Sequence, residues 1–251
     1  MEIKNAFELG KYFTYELTKE KPVYNWFYYK EGFAPEIVDF MVQGNTARQK
    51  ILDLFCGSGT TLLRAKELGF ESVGIDSSPL SVFVSRVKTQ NYEEKDLAEA
   101  EEFLKSVHKL NEERFNWKFE LFNPKNAFPF SNFNKILNLR GSIQKVENEN
   151  VRDLLLLALV SIIPQTSLVI KDGGVLKIDK RKRAMPVKEA FKRKTKRIIG
   201  ELGANSRGPI PKVGLGDARQ MELENESVNL IVTSPPYLNN IDYSKVYGLE
   251  L

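Results

Sequence analysis

Four short stretches of this chain combine residue types that can hold a ligand and act on it. The first, Asp53-Leu54-Phe55-Cys56-Gly57-Ser58-Gly59, closes an apolar run with a glycine-rich turn, and a helical pattern starts at Thr60. Glycines let a ligand approach the backbone, and a helix N-terminus offers unpaired N–H groups. The turn has neither the G-x-G-x-x-G spacing of dinucleotide folds nor the Lys-Ser/Thr pair of a P-loop. Asp53 in front of it suits a positively charged ligand better than a pyrophosphate. Asp76 ends the next apolar run, where an acid can accept from both hydroxyls of a ribose. Gly216-Asp217-Ala218-Arg219 follows a third run, and its carboxylate can accept from an adenine amino group. Ser234-Pro235-Pro236-Tyr237 follows a fourth. Two prolines cannot continue a sheet ladder, so they set a rigid turn. Ser234 and the neighbouring carbonyls can then accept from an exocyclic NH2, and the Tyr237 ring can stack on the base that carries it. The tetrapeptide holds no conventional nucleophile and no acid of tuned pKa. It fits a reaction that needs only an oriented amine.

These stretches need elements to position them. Ile51–Phe55, Ser72–Asp76, Val213–Asp217 and Val228–Val232 read as strands. Leu62–Leu68, stopped by Gly69, and Pro79–Lys88 read as helices. A βαβα run calls for a parallel sheet. Upstream, Pro35 suits a first helical turn, and Ile37, Phe40 and Met41 keep a helical spacing. Between the second helix and the third strand the pattern changes. Glu93–Arg114 reads as a charged helix and Asn116–Asn138 as a loop excursion rich in Phe, Asn and Pro. Glu149–Ile163 reads as an apolar helix, with Leu154–Ile163 as the core of this region. Gly203–Pro211 reads as a linker. The expected organisation is a sheet domain over 1–90 and 203–251, interrupted by a mainly helical, basic insertion over 91–202.

Composition bounds the function. The chain has 251 residues, 42% hydrophobic and 28% charged, which suits one globular domain carrying a large insertion. No apolar run approaches the ~18–20 residues of a membrane helix, and the N-terminus lacks a signal pattern. A soluble, cytoplasmic protein without membrane contact is expected. One cysteine and one histidine leave no internal disulfide, no cysteine-rich zinc site, no His-rich metal centre and no Ser-His-Asp hydrolysis. No metal is expected. Cys56 reads as a packing residue, and His108 as solvent-exposed on a charged helix. The net charge is +4, yet Lys177–Arg197 holds eleven Lys or Arg against Asp179 and Glu189, so the remainder is net acidic. Lys180, Arg181, Lys182, Arg183, Lys192, Arg193 and Lys194 are therefore candidate contacts to a polyanion, with a solvated helix face as the alternative. Phe128, Phe130 and Phe133 read as core or interface packing, with a base-stacking wedge as the alternative.

Taken together, the motifs resemble those of amino-group DNA methyltransferases of the N4-cytosine/N6-adenine type. Phe55-Cys56-Gly57-Ser58-Gly59 matches the family's F-x-G-x-G loop, and Asp76 its ribose-binding acid. Asp217 with Ala218 matches the adenine contact, and Ser234-Pro235-Pro236-Tyr237 the catalytic D/N/S-P-P-Y/F/W motif. Trp26–Pro35 is similar to the motif that packs near the methionine end of the cofactor. It places Trp26 and Tyr28 beside that ligand, although the Trp26–Tyr29 cluster also reads as plain core. The resemblance spans roughly residues 22–90 and 210–251. The motif order is similar to the subclass whose target-recognition region lies between the loop and the catalytic motif. It implies a Rossmann-like α/β fold, S-adenosyl-L-methionine as cofactor, duplex DNA as partner, and methyl transfer to an exocyclic amine on a flipped base. Ser at the first catalytic position resembles N4-cytosine enzymes more often than N6-adenine ones. The family sheet has seven strands in the order 3-2-1-4-5-7-6. Candidates are present here for strands 1 to 4, so a partial sheet is expected, with Val228–Val232 as an open edge. Open edges recruit another chain, and the expectation is a complementing C-terminal half or self-association at that edge. Two alternatives stay open: an RNA amino-methyltransferase, and a truncated, non-catalytic subunit that binds cofactor or DNA.

Overall fold

The computed structural model describes residues 7–44, 50–109, 124–172, 175–202, 207–221, 223–236 and 246–250. The chain divides into two compact units, one of residues 1–91 with 205–237 and one of residues 92–204 with 238–251. Residues 246–250, grouped with the sheet in the sequence reading, thus fall in the second unit.

In the first unit, three 3-10 turns (Phe7–Tyr12, Tyr15–Thr18, Tyr24–Trp26) lead to helix α1 (Glu36–Val42). The sheet follows: β1 (Lys50–Asp53), α2 (Thr60–Glu67), β2 (Glu71–Asp76) and α3 (Pro79–Thr89). After the second unit the chain returns as β5 (Lys212–Leu215) and β6 (Leu230–Ile231). The order is β5-β2-β1-β6, every pairing parallel. That is a Rossmann-like parallel arrangement, in the 3-2-1-4 order that the resemblance implied for the first four strands. The register sets Ile51 beside Ser72 and Asp53 beside Gly74. Ile51 packs with Phe33, Ile37, Val38, Ala65 and Val232 in one buried cluster. A β-carbon on Gly74 would sit 2.4 Å from Leu62 Cδ1, so α2 lies directly on β2 there. The central strands are covered and the outer ones are not: Leu215 on β5 is 63% exposed and Ile231 on β6 is 50% exposed. Among the described residues β6 pairs on one side only. Strand β6 is shorter than the expected Val228–Val232. The face of α1 also differs from its spacing: Ile37 and Val38 are buried, while Phe40 and Met41 are exposed.

The second unit contains α4 (Glu94–Ser106), α5 (Pro124–Ala127), α6 (Phe130–Ile143) and α7 (Glu149–Thr166), the strands β3 (Val169–Asp172) and β4 (Val175–Ile178), and α8 (Val187–Leu202). Helix α7 is its core. Leu154, Leu155, Leu157, Ala158, Leu159, Ile162 and Ile163 are all buried, as a helix packed on several sides requires. Asn148 caps it, its side chain accepting from the N–H groups of Asn150 and Val151. Two expectations change. The second half of Asn116–Asn138 is helix α6, because Phe133, Ile136, Leu139 and Ile143 recur on one buried stripe despite poor helix formers between them. Residues 110–123 lie outside the described residues. The insertion, read as mainly helical, also holds an antiparallel pair, β3–β4, which leads into the basic segment. Phe128 and Phe133 are buried with ring centres 5.9 Å apart, which is core packing. Among the described residues no helix is long and apolar enough to cross a membrane.

Candidate active site

The C-terminal ends of four parallel strands meet at one edge of the sheet, where ligands of open α/β sheets bind. Along that edge stand Asp217 after β5, Asp76 ending β2, the Asp53–Gly59 turn after β1, and Thr233–Pro236 after β6. The order follows from pairing alone. Asp76 is in register with Leu215, and the Gly216 N–H donates to the Asp76 carbonyl at 3.0 Å, which brings Asp217 next to Asp76.

The glycine turn is built from behind. Gly57 and Gly59 adopt φ of +51° and +82°, a region that favours glycine. A β-carbon on Gly59 would meet the Ser85 hydroxyl at 2.8 Å and the Ser85 backbone at 3.0 Å, so α3 lies against the turn. Ser85 Oγ donates to the Gly57 carbonyl at 2.9 Å, and the Lys88 ammonium, fully buried, donates to the Ser58 carbonyl at 2.8 Å. Asp76 ties the turn to β2: Oδ2 accepts from the Gly57 N–H and Oδ1 from the Ser78 N–H, both at 2.8 Å. Each carboxylate oxygen keeps a lone pair for a further donor. Cys56 is buried, and burial raises its thiol far above the usual range, consistent with a packing residue. Phe55 is half-buried and Thr60 is buried at the start of α2.

Asp53 differs from the sequence reading. It is 1% exposed, and its Oδ1 accepts from Thr233 Oγ1 at 2.9 Å and from the Phe55 N–H at 3.1 Å. Burial pushes its carboxyl up to about 6, against the hydrogen bonds that favour the charged form. In this structure the carboxylate joins the ends of β1 and β6 rather than facing a ligand. Thr233 is the residue before Ser234, so this bond fixes where the tetrapeptide starts. Ser234 is half-buried, and Pro235 and Pro236 are exposed. Tyr237 lies outside the described residues.

Asp217 is held by its neighbour. Arg219 donates to it from Nε at 3.0 Å and from Nη2 at 2.5 Å, and the pair holds the Asp217 carboxyl down at about 2. Both side chains are exposed, and Ala218 is half-buried. In the aromatic segment, read both as a cofactor contact and as plain core, the residues divide. Trp26 is 0% exposed and belongs to the core, while Tyr28 is exposed and packs edge-on against Tyr15. The ring that reaches the turn is Tyr29, whose Cε1 lies 3.0 Å from where a Gly57 β-carbon would sit. Tyr29, Ser85, Lys88 and Thr233 were missed by the sequence reading. A lysine or serine inside a helical pattern carries no local sign that it will support a turn about thirty residues away.

In the second unit the basic residues separate. Lys180, Arg181, Arg183 and Arg193 are exposed. Lys182 instead donates to the carbonyls of Pro164 and Val169, and Lys194 is largely buried, which lowers its ammonium to about 8. Lys192 is half-buried and its ammonium meets the ring of His108, which is exposed. Lys182 therefore braces the fold rather than the surface. The exposed side of α8 adds Lys196 and Arg197.

The sequence that carries these strand ends is similar to proteins of known kind. Residues 3–82 match the N6/N4 methyltransferase family model, described as DNA methylase. That span runs through β1, the glycine turn and Asp76. The chain resembles the amino-group DNA methyltransferases. It is 30% identical over 284 aligned positions to the type II methyltransferase M.BsoBI of Geobacillus stearothermophilus, covering 96% of this chain and 54% of the relative. It is 27% identical to the type II methyltransferase M.AvaI of Nostoc sp., covering 96% of this chain and 56% of the relative. A shorter match, 35% over 97 positions, is to the type II methyltransferase M.MjaII of Methanocaldococcus jannaschii and covers 37% of this chain and 18% of the relative. The chain spans about half the length of the first two relatives. No solved structure matches it significantly. As in an amino-group methyltransferase, the turn precedes Asp76 and the Pro-Pro motif follows the strand beside β1.

Proposed function

We propose that this chain binds S-adenosyl-L-methionine and, as part of a DNA amino-methyltransferase, directs methyl transfer to the exocyclic amine of a DNA base, with cytosine N4 favoured over adenine N6. The observation that carries the reading is the order of groups along the strand ends. Neighbouring parallel strands stand ~4.8 Å apart, so Asp217, Asp76, the glycine turn and Ser234 span roughly 14 Å, the scale of one nucleoside with an amino-acid tail. The residues fit the cofactor. Gly57 and Gly59 leave room that a β-carbon would fill, and Asp76 keeps acceptor capacity for ribose hydroxyls. Asp217 accepts from the adenine amine once Arg219 yields one of its contacts. When bound, the cofactor supplies a methyl group activated by a sulfonium.

The chain's own residues handle the base. A ring-conjugated amine is a weak nucleophile because its lone pair is delocalised. Ser234 Oγ and the Pro235 carbonyl accept its two N–H groups and favour the pyramidal form. Prolines add acceptors without competing N–H donors. Orientation and electrostatics do most of the work. Tyr237 stacks on the flipped base and offsets part of the few kcal/mol needed to extrude it. The exposed cations of the second unit take phosphates, which position the duplex without specifying sequence. The side of β6 that is unpaired among the described residues, with Ile231 exposed, receives a complementing segment or a second copy.

The test is transfer of labelled methyl from S-adenosyl-L-methionine to unmethylated duplex DNA, followed by nucleoside analysis. The chain is assayed alone and mixed with the part of M.BsoBI outside the aligned region. N4-methylcytosine is the expected product. Label in RNA but not DNA, or cofactor binding without transfer in either mixture, contradicts the proposal.

A further inference from the structure

Strands β3 and β4 form a two-stranded ribbon with Val169 opposite Ile178, Ile170 opposite Lys177, Lys171 opposite Leu176 and Asp172 opposite Val175. Side chains alternate across a ribbon. Val169, Lys171, Leu176 and Ile178 therefore share one face, and Ile170, Asp172, Val175 and Lys177 share the other. The first face is anchored. Val169 is buried, and the Lys171 ammonium donates to Glu250 at 2.6 Å and stands 3.9 Å from the Tyr247 ring centre. The Glu250 side chain is 1% exposed, so this ion pair fastens the ribbon to the C-terminal segment from within the unit. The second face is open to solvent. Val175 is 54% exposed, and Lys177 and Asp172 form an exposed pair at 2.7 Å. Lys180, Arg181 and Arg183 follow directly and are exposed. The two acids of the stretch, Asp172 and Asp179, are already paired with Lys177 and Arg181. What remains is an apolar and polar face flanked by positive charge.

We propose that the face of Ile170, Asp172, Val175 and Lys177 enters the major groove of duplex DNA and reads base edges there, while Lys180, Arg181 and Arg183 hold the phosphates. This rests on the DNA methyltransferase reading. The major groove, about 12 Å wide, admits a two-stranded ribbon. The face carries three kinds of base contact once the exposed Lys177–Asp172 pair exchanges its mutual bond for base edges: Lys177 donates to guanine O6 and N7, Asp172 accepts from cytosine N4, and Val175 meets a thymine methyl. The anchored Lys171–Glu250 pair keeps the ribbon from turning, as a reading element requires.

The test is selection of bound duplexes from a pool with a randomised centre, using the full chain and its Lys177→Ala and Arg183→Ala variants. The wild type is expected to enrich one motif. Lys177→Ala is expected to lose preference at one base-pair position by about ten-fold or more and to keep the others. Arg183→Ala is expected to weaken every duplex alike and to reduce the salt slope by about one. Uniform weakening by Lys177→Ala makes the ribbon a phosphate contact and overturns its reading role, as does an unchanged motif. A wild-type chain that enriches no duplex, either alone or mixed with the part of M.BsoBI outside the aligned region, overturns the DNA reading itself, and the ribbon's role with it.

Discussion

Around Gly57–Gly59 the turn is held by groups buried behind it: Ser85 on the Gly57 carbonyl, Lys88 on the Ser58 carbonyl, Asp76 on the Gly57 N–H. Around Asp217 and Ser234 the surroundings are open. Asp217 is engaged by an exposed Arg219, and exposed prolines follow a half-buried serine. The cause lies in strand order. β1 and β2 each have two neighbours and covering helices, whereas β5 and β6 each pair on one side among the described residues. On the proposed function, the turn that takes the cofactor is thus formed in advance, and the two ends proposed for the adenine and the target base remain adjustable.

The largest effect is expected at the rigid end. Gly59→Ala forces a non-glycine residue to φ +82° and drives its methyl into Ser85. Cofactor affinity, measured by calorimetry, should fall at least 100-fold, with a stability loss of roughly 1–3 kcal/mol. Affinity within two-fold of wild type would break the comparison. Ser234→Ala is next and separates the two ends. Turnover should drop about 10²–10³-fold, by analogy with loss of one oriented hydrogen-bonding group, while cofactor affinity stays within two-fold. Equal loss of both would put Ser234 in the rigid half.

Asp53 sharpens the comparison through pH. Its carboxyl titrates near 3.8 when unprotected and at about 6 in the fold. Between those values the folded state keeps a proton that the unfolded state has lost, so the contribution of Asp53 to stability is fully present below about 4 and is lost as pH rises through about 6. Urea melts across that window should show the decline, and Asp53→Asn should flatten it. A decline as steep in Asp53→Asn as in the wild type would contradict the burial argument. The smallest effect is expected at Arg219→Gln, which releases Asp217 at the surface. Cofactor affinity should change less than about three-fold, as for other exposed pairs, and a ten-fold change would show that the outer end is as organised as the turn.

Much of the rigid half was legible in the sequence, because strand-turn-helix chemistry is local. The run from Asp53 to Gly59, the acid at Asp76 and the parallel order all follow from short-range pattern. Its supports were not legible, since Lys88 and Ser85 act across about thirty residues through burial alone. The aromatic cluster at 26–29 has no period that tells Trp26, which goes inward, from Tyr29, which meets the turn. In the second unit, counting charge hid the ribbon, although Val169-Ile170 and Val175-Leu176 flank Gly173-Gly174 as a hairpin pattern does. The same count placed Lys182 on the surface, whereas two backbone carbonyls hold it.

Hydrogen–deuterium exchange of the full chain with and without S-adenosyl-L-methionine tests the central claim most directly. The account predicts added protection at the Phe55–Thr60 turn, at Asp76–Ser78 and at Gly216–Ala218, with the β3–β4 ribbon unchanged. Protection absent from those strand ends, or confined to residues 92–204, would contradict it.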